Sequence, residues 1–438
     1  MRSPRSRAST GRRLALAGSV TLALLAQSAP AATALPPDVP GRTPVAAKGS
    51  PLAHSAISAG TLKRALARQL RRAGGIGGAW VKDLATGKVI FRKRAKRRLA
   101  LASNMKLFTT GTAITRLGPR ATLDTSAWAL GEVSDAGVLR GRLLLRGAGD
   151  PTMSPQRLAK LAARIKASGI RRVTGGLRFD SSIFDRRIDV PSAGVTGGPY
   201  LGSLSGLSVS YGFNRRGNLL KDPAKTAARL FLQALRRRNV RVPGKAKRRK
   251  LGPNVSESAR VGTVSSPNMR ALIAATNQPS DNFLAEMLTK LVGARFGARG
   301  STAAGVRVIR AFARSHGAGV AGQNGSGLSV KDRASPRDVG RFLESMRDED
   351  KPAADAFLAS LAVAGREGTL ADRMRGTAAQ GRCRGKTGTL TAVSALSGYC
   401  TAPGGRVLAF SILMNRVDIY SAHLAQDKMA ALIARYER

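Results

Sequence analysis

Ser103 and Lys106 lie three positions apart, where a basic strand-like run ends and an apolar-periodic helix begins. Residues at i and i+3 share one face of a helix, so the two side chains are predicted to meet at its first turn. A serine hydroxyl is a weak nucleophile until a nearby base removes its proton, and a neutral lysine amine can be that base. Lys106 is the only Lys in the chain with a Ser three residues earlier. The pair is therefore the first candidate for chemistry.

Lys106 can act as a base only if burial and a second cation nearby lower its pKa. The chain has three histidines, His54, His316 and His423, and none lies in a G-x-S-x-G context. A Ser-His-Asp triad therefore has no support in the sequence. The alternative for Ser103 is a helix N-cap, and for Lys106 a solvated first-turn residue. On this stretch alone, these non-catalytic interpretations are favoured over catalysis.

Two further stretches strengthen the catalytic interpretation. Ser280 and Asn282 open an apolar helix predicted over residues 283–292, and Lys386-Thr387-Gly388-Thr389 lies on a predicted strand. Alone, Ser280 could be an N-cap, and Ser266-Pro267-Asn268 is a second Ser-x-Asn match. The Lys-Thr-Gly match occurs once, and its alternative is an exposed strand residue before a flexible glycine. The order of the three motifs favours a shared site.

In this order, Ser-x-x-Lys, Ser-x-Asn and Lys-Thr-Gly resemble the motifs of the penicillin-recognising serine enzymes, which include penicillin-binding proteins and serine β-lactamases. The span between the first two motifs is long for a compact β-lactamase and leaves room for an insert. The chain is most similar to the D-alanyl-D-alanine carboxypeptidase/endopeptidase family, the type-4 low-molecular-mass penicillin-binding proteins. The other stretches that match this family are Gly147-Ala148-Gly149-Asp150-Pro151, Asn324-Gly325-Ser326-Gly327-Leu328-Ser329, and Ser360-Leu361-Ala362-Val363-Ala364-Gly365 with Gly368-Thr369-Leu370.

The resemblance implies catalytic roles for three side chains. Ser103 would be the acylated nucleophile, Lys106 its base, and Ser280 a relay that carries the proton toward the leaving amine. The backbone N–H groups of Ser103 and Thr389 would form the oxyanion hole, where losing one donor typically costs about 3 to 4 kcal/mol.

The resemblance also implies the residues that bind substrate. Asn282 would hold the substrate's peptide. Lys386 would supply positive charge and, with the hydroxyls of Thr387 and Thr389, would receive the terminal carboxylate. Gly388 belongs to the same binding strand.

The implied function is that of a secreted serine DD-peptidase acting on peptidoglycan stem peptides through an acyl-serine, with β-lactam antibiotics as acylating inhibitors and no metal or cofactor. The alternatives are a β-lactamase of the same superfamily and a non-catalytic protein that binds peptidoglycan or senses penicillin. The long insert disfavours the first, and the complete set of key side chains disfavours the second. Asn324 stands where the family pattern predicts an acidic residue, which bears on substrate preference.

The fold class that these elements predict is α+β. Strand patterns cover residues 79–84, 88–92, 383–390, 393–402 and 406–415. We expect them to form one antiparallel five-stranded sheet flanked by helices, which is the arrangement that the penicillin-recognising serine-enzyme fold implies. The predicted organisation is a signal peptide (1–34), a Pro-rich linker (35–54), a transpeptidase-like domain in two parts (55–120 and 263–438), and an inserted region (121–262) between them.

The two cysteines lie on neighbouring predicted strands. If residue 390 pairs with residue 393, counting outward pairs Cys383 with Cys400. Such a pair could form a disulfide, worth about 3 kcal/mol by the chain-entropy model. Metal binding and a buried pair of free thiols are the weaker alternatives. Cys383 is an odd number of residues from Lys386, so the two side chains should face opposite sides of the sheet.

The charge and the N-terminus narrow the partners. The chain has 74 Lys and Arg against 25 Asp and Glu, a formal net charge of +49. A basic stretch, an apolar run too short to span a bilayer and small residues near positions 29–34 predict a secretory signal peptide. An exported chain in the cell envelope or outside the cell has no nucleic acid as its partner. An anionic wall polymer or lipid headgroup is the predicted polyanion, and a genome-wide bias toward Arg is the alternative.

Overall fold

A computed structural model of the 438-residue chain describes residues 55–190, 192, 201–252 and 255–437. The predicted signal peptide and linker, residues 1–34 and 35–54, lie outside the described residues. Within the described part, none of the helices has the length and apolar character needed to cross a membrane.

The α-helices among the described residues are α1 (Ala59–Arg72), α2 (Met105–Leu117), α3 (Pro155–Ala167), α4 (Pro223–Arg236), α5 (Met269–Asn277), α6 (Asn282–Phe296), α7 (Thr302–Ser315), α8 (Pro336–Ser345), α9 (Lys351–Ala359) and α10 (Ile419–Ile433). The strands are β1 (Ile76–Asp83), β2 (Val89–Lys93), β3 (Leu99–Ala100), β4 (Asp124–Val133), β5 (Val138–Arg146), β6 (Arg172–Val173), β7 (Leu177–Asp180), β8 (Lys247–Arg248), β9 (Arg260–Ser265), β10 (Val320–Ala321), β11 (Arg333–Ala334), β12 (Ala362–Val363), β13 (Cys383–Leu390), β14 (Val393–Thr401) and β15 (Val407–Asn415).

Helix starts follow local signals in the sequence. Ser154 accepts a hydrogen bond from the Arg157 backbone N–H at the start of α3, and Pro155 is the first helical residue. At the start of α4, Asp222 accepts a hydrogen bond from the Lys225 backbone N–H, and Pro223 is the first helical residue. Such residues satisfy the unpaired N–H groups of the first turn, which is why these starts were predictable from the sequence.

The main sheet has the strand order β12-β13-β14-β15-β1-β2, with antiparallel neighbours throughout. It contains the five predicted strands and adds the two-residue strand β12 at the edge. β1 pairs with β15, from Ile76 opposite Asn415 to Asp83 opposite Leu408, so the early and late parts of the chain share one sheet. Helices α1 and α10 cover one face through an apolar cluster that includes Leu66. The predicted α+β architecture is confirmed.

A second sheet has the order β8-β7-β5-β4-β9, with β6 beside β5. Helices α3 and α4 contribute Leu158, Leu161 and Phe231 to an apolar core of its own. Strand β9 continues to Ser265, where it pairs with Asp124 of β4, so this sheet passes the predicted end of the insert at residue 262. The insert boundaries stay a prediction.

The predicted hairpin register is confirmed. Strand β13 pairs with β14 from Cys383 opposite Cys400 to Leu390 opposite Val393, and a disulfide with an S–S distance of 2.06 Å joins the two cysteines. Both sulfurs lie against the Ala430 carbonyl of α10, at 3.7 and 3.8 Å. The disulfide therefore lies on the α10 face of the sheet, away from the Lys386 side chain.

Candidate active site

The candidate nucleophile lies on a short 3-10 turn, Ala102–Asn104, that leads directly into α2. Strand β3 pairs with β11 just before this turn and holds it in place. Ala102 has a φ of 46°, in the left-handed region that non-glycine residues enter only at a cost. Ser103 does not cap α2, because Asn104 occupies that position and makes no side-chain cap. The N-cap alternative for Ser103 is therefore wrong.

Lys106 is fully buried, and its amine joins three separate segments of the chain. Its Nζ donates to Ser103 Oγ at 3.0 Å, to Asn282 Oδ1 at 2.7 Å and to the Ser326 carbonyl oxygen at 2.8 Å. A solvated first-turn lysine is thus the wrong interpretation.

Burial lowers the pKa of Lys106 from 10.5 to about 7, because an ammonium ion loses its hydration there. The carboxylates of Asp281, Glu286 and Asp332 oppose this shift. The amine is consequently neutral in a large fraction of molecules near pH 7, as general-base catalysis requires.

Ser280 and Asn282 lie at the start of α6. Asp281, not Ser280, caps this helix, with its Oδ1 accepting from the Leu284 N–H at 2.7 Å. Ser280 has a φ of 65°, a left-handed backbone conformation that non-glycine residues rarely adopt. A strained serine that does not cap its helix is the kind of feature that clusters at functional sites.

Lys386 is also fully buried, on β13, so the interpretation of an exposed strand residue is wrong. Its Nζ donates to the Thr387 carbonyl oxygen at 3.0 Å. Burial, and then the charge of Lys106, hold the pKa of Lys386 well below its usual value. The sequence predicted a second cation near Lys106, and Lys386 is that cation, since the charges of the two amines interact.

Gly388 allows β13 to approach the nucleophile. A Cβ atom at this position would lie 2.8 Å from the Leu101 carbonyl oxygen and 3.0 Å from the Ser103 nitrogen, closer than such contacts normally come. The Asn104 side chain also donates to the Lys386 carbonyl oxygen at 2.9 Å. The glycine of the Lys-Thr-Gly motif is therefore required by packing, in addition to any role toward substrate.

The two threonines of this strand each contact a residue from another segment. The buried Thr387 hydroxyl donates to Thr369 Oγ1 at 2.8 Å. The exposed Thr389 has its Oγ1 3.4 Å from His423 Nε2 on α10. Both hydroxyls are thus oriented by neighbours.

The sequence did not reveal two buried acids behind Lys106. Glu286 Oε1 accepts from the N–H groups of Gly325 at 2.9 Å and Ser326 at 2.7 Å. Asp332 accepts from Ser329 at 3.2 Å, and burial raises the pKa of Asp332 to about 7. Together they fix the loop whose Ser326 carbonyl contacts Lys106. The available signal was Glu286 itself, one helical turn after Asn282 in an otherwise apolar run.

Asn324, which stands where the family pattern predicts an acid, closes the same loop. It is buried, and its Oδ1 accepts from the Gly327 N–H at 2.9 Å. An amide oxygen thus serves as the acceptor there without a negative charge.

The arrangement is suited to acyl transfer: a half-buried serine hydroxyl, a buried amine 3.0 Å from it, and a strand edge beside it. Among the described residues, no group of three or more His, Cys, Asp or Glu is placed to hold a metal ion.

The sequence matches the family described as D-Ala-D-Ala carboxypeptidase 3 (S13) over residues 61–195 and 206–436. It is 30% identical to the D-alanyl-D-alanine carboxypeptidase of Actinomadura sp. (strain R39), over 83% of this chain and 82% of that protein. Among solved structures, penicillin-binding protein 4 of Haemophilus influenzae aligns with a TM-score of 0.71 at 18% identity, over 83% of this chain and 97% of the other; it has also been solved with a β-lactam. A predatory peptidoglycan endopeptidase of Bdellovibrio bacteriovorus aligns with a TM-score of 0.51 at 16% identity, over 77% and 85%.

Proposed function

Because the chain belongs to the D-Ala-D-Ala carboxypeptidase 3 (S13) family, we propose that Ser103 is the nucleophile that cleaves the D-Ala-D-Ala bond of peptidoglycan stem peptides. The protein is a serine-type D-Ala-D-Ala carboxypeptidase/endopeptidase. One observation carries the assignment of residues: the buried Lys106 amine, whose pKa is lowered to about 7, lies 3.0 Å from Ser103 Oγ.

Acylation begins when neutral Lys106 accepts the Ser103 proton. The freed oxygen attacks the carbonyl carbon of the scissile bond, and the N–H groups of Ser103 and Thr389 stabilise the oxyanion that forms. The intermediate collapses when the C–N bond breaks and Lys106 returns the proton, through Ser280, to the leaving amine. The products are an acyl-serine and a free amine.

Deacylation repeats these steps with water. Lys106 accepts a proton from the water that attacks the Ser103 ester, and then returns that proton to Ser103. The acid product leaves, and the site is restored.

The binding residues lie along β13 and at the start of α6. Asn282 holds the substrate peptide, while Lys386, Thr387 and Thr389 receive the terminal carboxylate. The carboxylate favours the protonated form of Lys386, so binding restores the charge that burial disfavours in the free enzyme.

The test is covalent labelling by a fluorescent penicillin. The parent protein should form a stable adduct on Ser103, and Ser103→Ala should form none while keeping the parent unfolding midpoint. Ser266→Ala, at the second Ser-x-Asn match, should still be labelled. Labelling of Ser103→Ala would contradict the assignment. Rapid loss of the adduct would indicate a β-lactamase, and adduct formation without release of D-alanine would indicate a penicillin sensor.

We also propose export and an envelope location, with the excess positive charge contacting an anionic polymer there. Sequencing the N-terminus of the protein secreted by its own host tests cleavage near residues 29–34. Digestion of defined cross-linked and uncross-linked muropeptides, with products identified by mass, measures the balance of endopeptidase and carboxypeptidase activities.

A further inference from the structure

A large concentration of positive charge lies outside the site described above. Residues 221–250 contain twelve Lys and Arg against one acid, Asp222. Both oxygens of that acid accept from the Arg248 guanidinium, at 2.9 and 2.8 Å. The single negative charge of this segment is therefore already neutralised.

Five of these cations line a groove rather than a flat surface. A cavity of about 540 Å³ runs between α4 and residues 244–246, with Lys225, Arg229 and Arg236 on the helix side and Lys245 on the other. Arg236 fixes the second wall, because its guanidinium donates to the carbonyl oxygens of Val242 and Gly244, at 3.2 and 3.0 Å.

A second depression of about 430 Å³ adjoins the first across α4 and shares Arg229 with it. Arg215 and Arg237 add two further cations there. The basic lining thus continues from one side of the helix to the other.

Neither the stability nor the packing of α4 explains the cations that line the groove. Lys225 and Arg229 are exposed and lie four residues apart, where like charges destabilise a helix. Among the described residues, Lys225, Arg229 and Lys245 form no ion pair with a carboxylate. The opposite face of α4 is apolar and packs in the core of the second sheet, so helix packing does not explain these cations.

We propose that this groove, defined by Lys225, Arg229, Arg236 and Lys245, binds a linear polyanion with phosphate groups repeated along its chain. Repeated negative charges along one chain match cations repeated along one helix. The concave shape fits a single polymer chain, whereas a bilayer would present a flat surface. The bound polymer would hold the enzyme beside its substrate in the envelope.

The test uses the full-length protein with its acylation site intact and inorganic polyphosphate of defined length as the probe. The triple variant Lys225→Glu, Arg229→Glu, Lys245→Glu should bind at least about tenfold more weakly, and the slope of log K against log salt should fall in magnitude by about 2. The matched control is Arg307→Glu, Arg310→Glu, Arg314→Glu, which makes the same charge change on the exposed face of α7.

Equal losses in the two triple variants would overturn the proposal, since net charge alone would then explain binding. Binding to vesicles rich in anionic lipid, without binding to polyphosphate, would overturn it in favour of a membrane surface. Penicillin labelling of Ser103 should be unchanged in both triple variants, so this test is independent of the proposed peptidase chemistry.

A different observation concerns His423, which the peptidase mechanism does not use. This half-buried histidine projects from α10 to within 3.4 Å of the Thr389 hydroxyl. Its main chain is held by Arg373, whose Nη2 donates to the His423 carbonyl oxygen at 3.3 Å. Arg373 in turn pairs with Asp427 at 2.7 Å. An imidazole is thus held in place beside the strand that is proposed to receive the substrate carboxylate.

We infer that His423 is a specificity-determining residue for the C-terminal carboxylate of the substrate; this inference rests on the proposed function. The charged groups that face it are Arg373 from the segment before β13, Asp418, which caps the start of α10, and Asp427 of α10. Burial and Arg373 lower the pKa of His423 in the free enzyme, and an incoming carboxylate would favour the imidazolium. Carboxylate binding should therefore strengthen as the pH falls.

The test measures peptide binding to the Ser103→Ala variant, which cannot turn the peptide over. One peptide ends in D-Ala-D-Ala carboxylate and the other in the corresponding amide. Adding His423→Asn should weaken binding of the carboxylate peptide at pH 5.5 by about tenfold, the effect of losing a hydrogen bond to a charged group. Binding of the amide should not change, and the difference should shrink at pH 7.5.

His316→Asn is the matched control, because it makes the same change at the end of α7. Equal weakening of both peptides by His423→Asn, or no effect at either pH, would overturn the inference. Penicillin labelling of the protein with Ser103 intact distinguishes this failure from a failure of the proposed function.

Discussion

At the scale of single residues, the site depends on two lysines that burial makes less basic. Lys106 and Lys386 are both fully buried, and among the described residues neither forms an ion pair with a carboxylate. Lys106 instead has three uncharged acceptors, which bind an ammonium and leave the neutral amine well placed beside Ser103. The chemistry therefore follows from desolvation more than from pairing with opposite charge.

The rate of acylation should depend on the protonation of Lys106. Since only the neutral amine accepts a proton, the second-order rate constant for penicillin should rise with pH through about 7 and level off above it. At lower pH it should fall about tenfold per unit. Stopped-flow labelling between pH 5 and 9 gives this profile. A rate independent of pH between 6 and 8 would exclude Lys106 as the base.

Glu286 should act as a positioning residue for Lys106. Glu286→Gln keeps an oxygen for the loop N–H groups but removes the charge that raises the pKa of Lys106, so the midpoint of the pH profile should move to lower pH. Glu286→Ala should also lower the plateau rate about tenfold or more, because the loop carbonyl is no longer held in place. Identical profiles for the two variants would contradict this separation of roles.

At the scale of secondary-structure elements, the site is a junction of a turn, a helix start and a strand. The turn carrying Ser103 is fixed by β3 on one side and contacts β13 on the other. Helix α6 brings Asn282, and the loop after β10 supplies the Ser326 carbonyl. The turn, the helix start and strand β13 were recognisable in the sequence, whereas strands β3 and β10 and the contacts among all these elements were not.

Gly388→Ala should impair catalysis far more than stability. The added methyl group would push β13 away from the Ser103 turn, and a shift of about 1 Å at a reacting centre can cost about a hundredfold in rate. The penicillin acylation rate and the unfolding midpoint measure the two effects. Gly60→Ala on α1 is the control, because its Cβ would meet only the Arg64 side chain at 3.6 Å. A Gly388→Ala protein that acylates at the parent rate would refute the packing role.

The disulfide should stabilise the sheet without affecting catalysis. Replacing both Cys383 and Cys400 by Ala opens a loop with a sequence separation of 17 residues, which should cost about 3 kcal/mol of unfolding free energy. The acylation rate should change less than about twofold, because the cysteines face α10, on the side opposite the Lys386 side chain. Urea unfolding and penicillin labelling measure these two quantities. A large loss of acylation rate with little loss of unfolding free energy would contradict this prediction.

At the scale of the whole molecule, distant parts of the chain meet at the main sheet and at α6. Strand β1 completes the sheet begun by β13, β14 and β15. The segment after β7 packs on α6, where buried Lys290 donates to Asp185 Oδ1 and to the Arg187 carbonyl oxygen, each at 2.6 Å. The same segment reaches the site loop through Ser192, whose Oγ accepts from Asn324 at 3.3 Å. The predicted insert is thus connected to the elements that position Lys106.

The Lys290–Asp185 pair should be required for this docking. Asp185→Ala leaves a buried ammonium with only the Arg187 carbonyl as its partner and should lower the unfolding free energy by about 3 kcal/mol. Lys290→Met removes the charge together with its need for a partner, so it should destabilise much less. Chemical denaturation of both variants measures the difference. Equal destabilisation would show that packing, rather than the unpaired charge, sets the effect.

Much of the fold was predictable because the signals are local. Helices α3 and α4 start at a capping residue followed by proline, and the β13–β14 register follows from a short turn and a side-chain period of two. The two-residue strand β12 and strand β9, which ends at Ser265, were missed, since each exists only by pairing with a distant strand.

By itself, the sequence determined the three motifs, their order, the cysteine pairing and the family resemblance, because each depends on residue type and spacing along the chain. The tertiary structure decided what surrounds those motifs. The acids Glu286 and Asp332 behind Lys106, the Ser326 carbonyl in front of it and His423 beside Thr389 come from segments far apart in sequence. The mechanism inferred from the sequence requires a lowered pKa at Lys106. The burial that lowers this pKa depends on those neighbours, so only the folded structure shows it.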